Sequence, residues 1–447
     1  MNTEQTPFEK FGNWLKQSVG LKLTTITILM LLLLIPTSMI KSIISERKNL
    51  NRSVLNEVSS KWANEQQING PVLSIPLLYE YRDKENEVIQ QTKHLYILPD
   101  ALKINGDIEP KTLKRGIYEV VVYRSQLNVS GTFDLNAKID KSGLKEIQFD
   151  KAFVSIGISD LRGIEDQIVL NWGKEKLQVQ AGSRLPEMMR SGVSIDLPNL
   201  EEEYTKSVPF SFALNLQGSQ NLSFIPVGGT TEVQLKSPWS SPSFNGNFIP
   251  KQREVSDEGF TAKWKALLLN RNYPQTWVDR NMGQRMQESS FGVDLIMPLD
   301  DYQKATRSAK YAVMTISLIF LVFFLVEILN GKKIHPFQYT LVGLALCLFY
   351  VLLISISEHS NFNMAYLISA GVSSLLISLY STSVFKSLKF TGILTSTILG
   401  IYTFLFVTLQ LADYALLMGS IGLTIILAIT MYFTRNINWY KLQVSAE

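Results

Sequence analysis

The sequence predicts an α+β membrane protein with six transmembrane helices, one N-terminal and five C-terminal, and a large β-rich, sandwich-like domain inserted between the first and second. Three observations lead there. From Tyr311 to Phe433 the chain is mostly apolar, in pieces broken by short polar turns, each about 20 residues long, the length a helix needs to cross a bilayer core. A further apolar piece, Leu21–Ile44, lies far upstream. Between them, after Gly70–Pro71, the apolar pattern changes from helical spacing to alternation.

Composition narrows the function classes. The net charge is +4 across 447 residues, and the sequence has no dense Lys/Arg cluster with interleaved aromatics, so nucleic acid is not expected as a partner. Cys347 is the only cysteine, which rules out an internal disulfide and a thiolate metal site. The three histidines, His94, His335 and His359, are far apart in the chain. No metal site and no cofactor are expected.

In chain order, residues 1–20 form a cytoplasmic amphipathic N-terminus. Phe8, Phe11, Trp14 and Leu15 recur at helical spacing with Lys10 and Lys16 among them. Two readings stand, an interfacial helix or a polar leader. Residues 21–44 form the first span. Its apolar run is longer than a signal h-region and no small-residue cleavage site follows, so it is expected to remain as an anchor. Pro36 should kink it. Residues 45–309 form the inserted domain, opening with a helical stalk over 45–67, where Leu50, Val54, Leu55, Val58 and Trp62 mark one face.

Strands are expected at 72–82, 93–99, 101–110, 116–134, 152–159, 208–218, 221–228, 230–237, 259–269 and 291–298. Their alternation suits half-buried antiparallel sheets. LYILPDALKINGDI (95–108) and LSFIPVGGTTEVQL (222–235) both run a strand into Pro and then alternate again, a hint of two similar sub-lobes. Trp239, Phe244 and Trp264 lie in a Pro-rich stretch that reads either as an aromatic binding surface or as core filling between sheets.

Residues 310–434 form the five-helix bundle, with spans near Tyr311–Leu329, Phe337–Ile356, Met364–Val384, Thr391–Leu411 and Tyr414–Phe433, and 435–447 form a tail. Lys332, Lys333, Lys386, Lys389, Arg435 and Lys441 fall on one set of connections. Glu358, His359 and Asp413 fall on the other. This is the positive-inside pattern, and it places both termini in the cytoplasm and residues 45–309 outside. Ionisable groups are sparse in the spans. Glu327 lies about two-thirds along its helix, and Gln410 is polar but uncharged. Small residues (Ser369, Gly371, Ser373, Gly392, Ser396) fit close helix packing.

The chain resembles the CreD family of bacterial inner-membrane proteins over nearly its whole length. The residues that carry the resemblance start with Glu46–Arg47, Glu57–Ser59, Trp62, Gln66 and Gly70–Pro71. They continue with F-x-P-x-G at Phe224–Gly228, including Pro226 and Gly228, and S-x-W-x-x-PSF-x-G at Ser237–Gly246, including Trp239, Pro242, Phe244 and Gly246. GF-x-A-x-W follows at Gly259–Trp264, and Y-x-x-x-x-R-x-x-KY at Tyr302–Tyr311. The last three motifs are FF-x-x-E at Phe323–Glu327, HP-x-QY with His335, Pro336, Gln338 and Tyr339, and SEH with Glu358 and His359. Ala63 stands where Gly is expected after Trp62. The resemblance implies a periplasmic β domain on an inner-membrane anchor. It also implies a link to envelope integrity and, in some bacteria, control by a two-component system. It implies no catalytic reaction.

These readings together predict a non-enzymatic envelope-maintenance protein whose partners are the lipid bilayer and an unidentified envelope protein or component. The outer domain has no G-x-S-x-G, no metal cluster and no Cys nucleophile. Two rivals remain. A transporter or lipid-handling protein would need a polar path through Gln410, Glu327, the Ser/Thr-rich helices and Tyr380. An envelope enzyme would use Asp160, Glu165 and Asp166 near Arg162.

Overall fold

The computed structural model describes residues 19–82, 87–137, 139–197, 200, 206–295, 301–330, 334–411 and 414–435. Residues 1–18 of the expected N-terminal amphipathic segment and all of the tail beyond Arg435 lie outside them. The chain divides into two compact units, residues 1–50 with 299–447, and residues 51–298.

The helices are α1 (Val19–Leu32), α2 (Leu34–Trp62), α3 (Gly283–Glu288), α4 (Asp301–Lys310), α5 (Ala312–Asn330), α6 (Pro336–Ser357), α7 (Phe362–Phe385), α8 (Leu388–Gln410) and α9 (Ala415–Thr434). Among the described residues, four helical stretches are long and apolar enough to cross a membrane: Lys22–Trp62, Pro336–Ser357, Phe362–Phe385 and Leu388–Gln410. A fifth arises if α4 and α5, bent by 44° where they meet, form one span, and Leu417–Tyr432 is a shorter apolar helix. α1 and α2 are parted by Leu33 alone. Pro36 supplies no N–H to the carbonyl of Leu32, so the helical ladder falters there, while Leu33 N still donates to Leu29 O at 3.0 Å.

Helix ends in this unit are built from local chemistry. Asn361 caps α7 by accepting from Met364 N at 2.9 Å. Lys386 closes it in the left-handed conformation. The core of the unit runs through Leu33, Ile40, Ala309, Ile316, Phe323, Leu346, Phe349, Tyr366, Ile398 and Leu405. Ser373 in α7 donates to Ala345 O in α6 at 3.1 Å and lies 3.1 Å from the Tyr402 hydroxyl in α8. The small residues of α7 thus let hydroxyls reach the neighbouring backbones.

The strands of the other unit are β1 (Gln66–Arg82), β2 (Val88–Ile97), β3 (Ala101–Arg115), β4 (Tyr118–Asp134), β5 (Leu144–Ile147), β6 (Phe153–Ile158), β7 (Val169–Trp172), β8 (Glu175–Gln178) and β9 (Gln180–Ala181). They continue as β10 (Gly192–Asp196), β11 (Ser207–Ser219), β12 (Asn221–Ile225), β13 (Thr230–Ser237), β14 (Pro242–Gly246), β15 (Gln252–Ser256), β16 (Gly259–Leu267), β17 (Thr276–Val278) and β18 (Phe291–Leu295). One sheet runs β14-β18-β12-β1-β6-β10-β9 with β2, β5 and β17 attached. The other runs β15-β16-β13-β3-β4-β11-β7-β8. Strand interiors such as β3 alternate buried and exposed residues, and the buried faces contribute one continuous core that includes Ile75, Ile104, Phe133, Ile156, Leu214, Leu235 and Trp264.

Four expectations need correction. The sheets are not wholly antiparallel, because β1 pairs in parallel with β12 and β13 in parallel with β3. The stalk helix ends at Trp62 rather than Gln67, because Gln66 is the first residue of β1 and is fully buried. β1 shows little alternation because it is covered on both faces over most of its length. The two strand–Pro–strand segments do not build separate lobes. Each steps from the first sheet to the second, where Ala101–Asp107 and Thr230–Lys236 lie side by side within one unit.

Candidate functional site

The residues at the start of β1 lock it to the loop after β6. The Gln66 side chain donates to the carbonyls of Asp160 and Gln217, both at 2.9 Å, and accepts from Asp160 N at 3.2 Å. Asp160 in turn accepts from the backbone and side chain of Asn64 at 3.1 and 3.0 Å and from Arg162 Nε at 2.9 Å. The Arg162 guanidinium holds the Asp160 carboxyl well below the usual carboxylate range, against the opposing effect of burial. Arg162 also donates to Ser60 O at 2.5 Å. The Trp62 ring lies 6.0 Å from the Arg124 guanidinium. Glu165 pairs with Arg124 at 2.9 Å and accepts from Gln217 at 2.8 Å, and Asp166 accepts from Asn215 at 2.8 Å. The three carboxylates considered for acid–base work are therefore each bound into a different part of the framework.

From the next residue of β1 onward a cleft of about 1070 Å³ opens, with Gln67, Asn69, Gly157 and Ser159 in its lining. Residues 186–191 and α3 supply the rest of the lining. Gly283, at the start of α3, sits so close to the carbonyl of Glu187 that a Cβ there would lie 2.1 Å from it, so only glycine lets these two segments meet. Asn69 is 4% exposed. Its amide donates to Met188 O at 3.1 Å, but its Oδ1 is buried without a hydrogen-bond partner. An orphaned buried acceptor costs about 1–3 kcal/mol; this one is covered, so a ligand in the cleft that offers an N–H or O–H meets it only when the Asn69 side chain turns. The remaining lining is rich in carboxamides, with Asn281, Gln284 and Gln287 beside Glu187, Arg190 and Glu288. Carboxamides both donate and accept, which suits neutral, hydroxyl- or amide-bearing ligands better than strongly charged ones. Neither Asn69 nor Gly157 stood out in the sequence. The proximity of Asn69 to Gly70–Pro71 was the one available signal.

Gly70 and Pro71 continue β1 through a cis bond. Pro226 presents its carbonyl to the Tyr273 hydroxyl at 2.9 Å and to Arg271 at 3.2 Å, and Gly228 N donates to Thr231 at 2.9 Å. The tryptophan-rich stretch resolves as core filling. Phe244 packs edge-on against Trp264 at 5.6 Å and Phe260 at 5.7 Å, and Trp264 meets Phe291 at 5.9 Å. Trp239 donates its indole N–H to Ser241 O at 3.2 Å. Pro242 opens β14, an edge strand where its missing N–H costs little. Gly246, at φ 87°, ends that strand, and Gly259 begins β16.

In the other unit the FF-x-x-E and HP-x-QY motifs form one cluster. Glu327 in α5 is 4% exposed and receives the Tyr339 hydroxyl at 2.8 Å, the backbone N–H of Ile334 at 2.6 Å and the ammonium of Lys22 from α1. His335 caps α6 by accepting from Phe337 N at 3.2 Å, Gln338 accepts from His335 N at 3.0 Å, and Pro336 occupies the first helical turn. Lys332 and Lys333 lie outside the described residues. The sequence alone names no partner for Glu327, although Lys22 is the cation nearest the start of the first apolar run. Glu358 closes the opposite end of α6 and pairs with Arg47 at 3.4 Å. His359 N donates to Ile356 O at 3.0 Å, so the two histidines are held at opposite ends of one helix. Tyr311 marks the bend between α4 and α5, where its carbonyl accepts from Thr315 at 3.1 Å. Gln410 donates to Asn363 at 2.7 Å. Among the described residues, no group of three or more His, Cys, Asp or Glu could hold a metal.

Comparison with known proteins comes to the same chain-wide pattern. Residues 18–440 match the family model described as Inner membrane protein CreD. Inner membrane protein CreD of Escherichia coli K12 is 33% identical over 451 aligned positions, which cover 97% of each chain.

Proposed function

The chain belongs to the CreD family, and on that premise we propose that it is an inner-membrane protein that supports cell envelope integrity by binding rather than catalysis. In this reading α1 with the start of α2, and the five helices α5 to α9, make six spans, both termini are cytoplasmic, and residues 45–309 stand in the periplasm. The distribution of Lys and Arg over the short connections supports that orientation. The β unit takes a neutral, hydroxyl- or amide-bearing envelope component in the cleft beside Asn69.

The observation that carries the reading is the cleft itself: a hollow of about 1070 Å³ with a buried acceptor left unpaired. The full engagement of Glu327 with Lys22, Tyr339 and Ile334 favours an anchoring bundle over a transport path.

The test uses a deletion strain sensitive to detergent. The intact chain should restore resistance, and Gln287→Trp, which fills the cleft from an exposed position, should fail to do so at equal abundance in the membrane. Full rescue by Gln287→Trp would remove the cleft from the function. Protease added to inside-out vesicles should leave residues 45–309 uncut, and their digestion would reverse the proposed orientation.

A further inference from the structure

The second sheet carries a surface that neither the cleft nor the packing explains. On β16, Lys263, Lys265 and Leu267 are exposed on one face, as alternation dictates. The strand then runs into Leu268 and Leu269, and Leu269 is 92% exposed. Ile249, 74% exposed, precedes Lys251, whose backbone N–H donates to Lys263 O at 2.8 Å.

The leucine turn is rigidly held. Leu268 N donates to Gly229 O at 2.7 Å and Leu267 N to the Asn270 side chain at 3.1 Å. Arg271 then anchors the chain through Pro226 O and Gln275 and lies 4.5 Å from the Tyr273 ring centre. A loop so braced cannot fold its leucines away from water.

Beside it the strand register sets charges in rows. Glu232 lies between Lys265 and Lys103, and Gln234 between Lys263 and Asn105, with Gln252 next to Lys263. Lys103, Lys251, Lys263 and Lys265 line a shallow depression of about 360 Å³ whose only carboxylate is Glu232, paired with Lys265 at 2.7 Å. Asp100, at the head of β3 beside Gly229, adds an opposing charge, and in the row farther from the turn Asp107 and Glu254 lie in register with Lys236 and Thr261.

We propose that this end of the β unit docks on an anionic phospholipid surface, with the Leu267–Leu269 turn inserted among the acyl chains and the lysine depression receiving headgroup phosphates. A cationic, hydrogen-bonding hollow next to a rigid apolar projection matches the two layers of such a surface, phosphate outside and hydrocarbon within. The proposal deepens the binding reading above by giving the β unit a second contact. It rests on that reading only for its biological role.

The experiment labels Leu269→Cys, in a Cys347→Ala background, with an environment-sensitive dye on the full-length protein. The labelled protein is reconstituted in phosphatidylcholine nanodiscs and mixed with vesicles of phosphatidylcholine alone or with phosphatidylglycerol added. It is also reconstituted directly in phosphatidylglycerol-containing nanodiscs. Docking shifts the dye to the blue in at least one anionic arm, not in the neutral arms, and the shift is reversed by salt. Lys263→Gln with Lys265→Gln should weaken vesicle binding by about tenfold or more. Leu268→Ser with unlabelled Leu269→Ser should do so by more than about tenfold, read by flotation. A dye that reports water in both anionic arms overturns the proposal, as does an equal shift with phosphatidylcholine alone. A shift produced by inorganic phosphate without lipid would make the depression a small-anion site and also overturn it. Because the salt test needs no further substitution, a variant that misfolds does not protect the proposal. The cleft reading is judged separately by Gln287→Trp.

Discussion

The Tyr339 hydroxyl donates to the Glu327 carboxylate at 2.8 Å, joining α6 to α5. The same carboxylate takes the backbone N–H of Ile334 and the ammonium of Lys22. One acidic side chain therefore ties the first helix to the hairpin of two later ones. A buried charge so satisfied is worth most as a geometric fixture, because removing one partner leaves the others stranded.

Glu327→Gln should lower the stability of the helical unit by about 3 kcal/mol, and Tyr339→Phe by about 1 kcal/mol. Lys22→Met combined with Glu327→Gln should recover part of the loss, since no unpaired ammonium remains. Heating the solubilised variants and measuring the monodisperse fraction by gel filtration checks all three. Additive losses in the double variant would contradict the coupling.

Asp160 offers a pH-dependent test. Its carboxyl is held below the ordinary range in the folded chain, chiefly by hydrogen bonds from Arg162. The stabilisation is therefore complete above the unfolded value of about 3.9 and is lost as pH falls toward the folded one. Asp160→Asn should weaken hydrogen-exchange protection of β6 by about 2 kcal/mol at neutral pH. The gap between variant and parent should close in acid below about pH 4. A gap that stays constant with pH would show that shape rather than charge matters at this position.

Gly246 stands at φ 87°, and a Cβ there would lie 2.2 Å from the carbonyl of Ser290. Gly246→Ala should therefore force β14 away from β18 and cost about 1–3 kcal/mol. Trp264→Ala, which empties the centre of the aromatic cluster, should cost about 3–5 kcal/mol. Limited proteolysis of residues 238–250 reads the first. Global denaturation of the β unit reads the second.

The cap on α6 gives a smaller and more local prediction. His335→Ala removes the acceptor for Phe337 N and should cost about 1 kcal/mol, whereas His335→Asn should retain most of the cap. Thermal inactivation of the two variants, compared side by side, distinguishes capping from any role of the imidazole itself.

The sequence revealed those parts of the fold in which one face is wet and the other dry. β3, β11 and β13 alternate cleanly and were placed within a few residues. β7 alternates but is only four residues long, too short to stand out, while β8 and β15 are exposed almost throughout and carry no two-faced pattern. The parallel pairings of β1 with β12 and of β13 with β3 join segments far apart in the chain, and local periodicity holds no record of such partners. For the candidate sites, Glu327 was conspicuous as an acid in an apolar run, but its link to Lys22 depends on how α1 packs. Asn69 became notable only when folding left its oxygen without a donor.

β1 pairs with β2, β5, β6 and β12, so its partners are distributed from Val88 to Ile225. The strand leaves the ribosome early and waits for most of the unit to follow. At about 5–20 residues per second that interval is on the order of ten seconds. A long apolar ribbon with open edges during that time is a hazard for mispairing. The protein's yield in the cell should therefore depend on holding factors that shield Gln66–Arg82, and slowing elongation downstream of β1 should increase its aggregation before any change in the finished fold is felt.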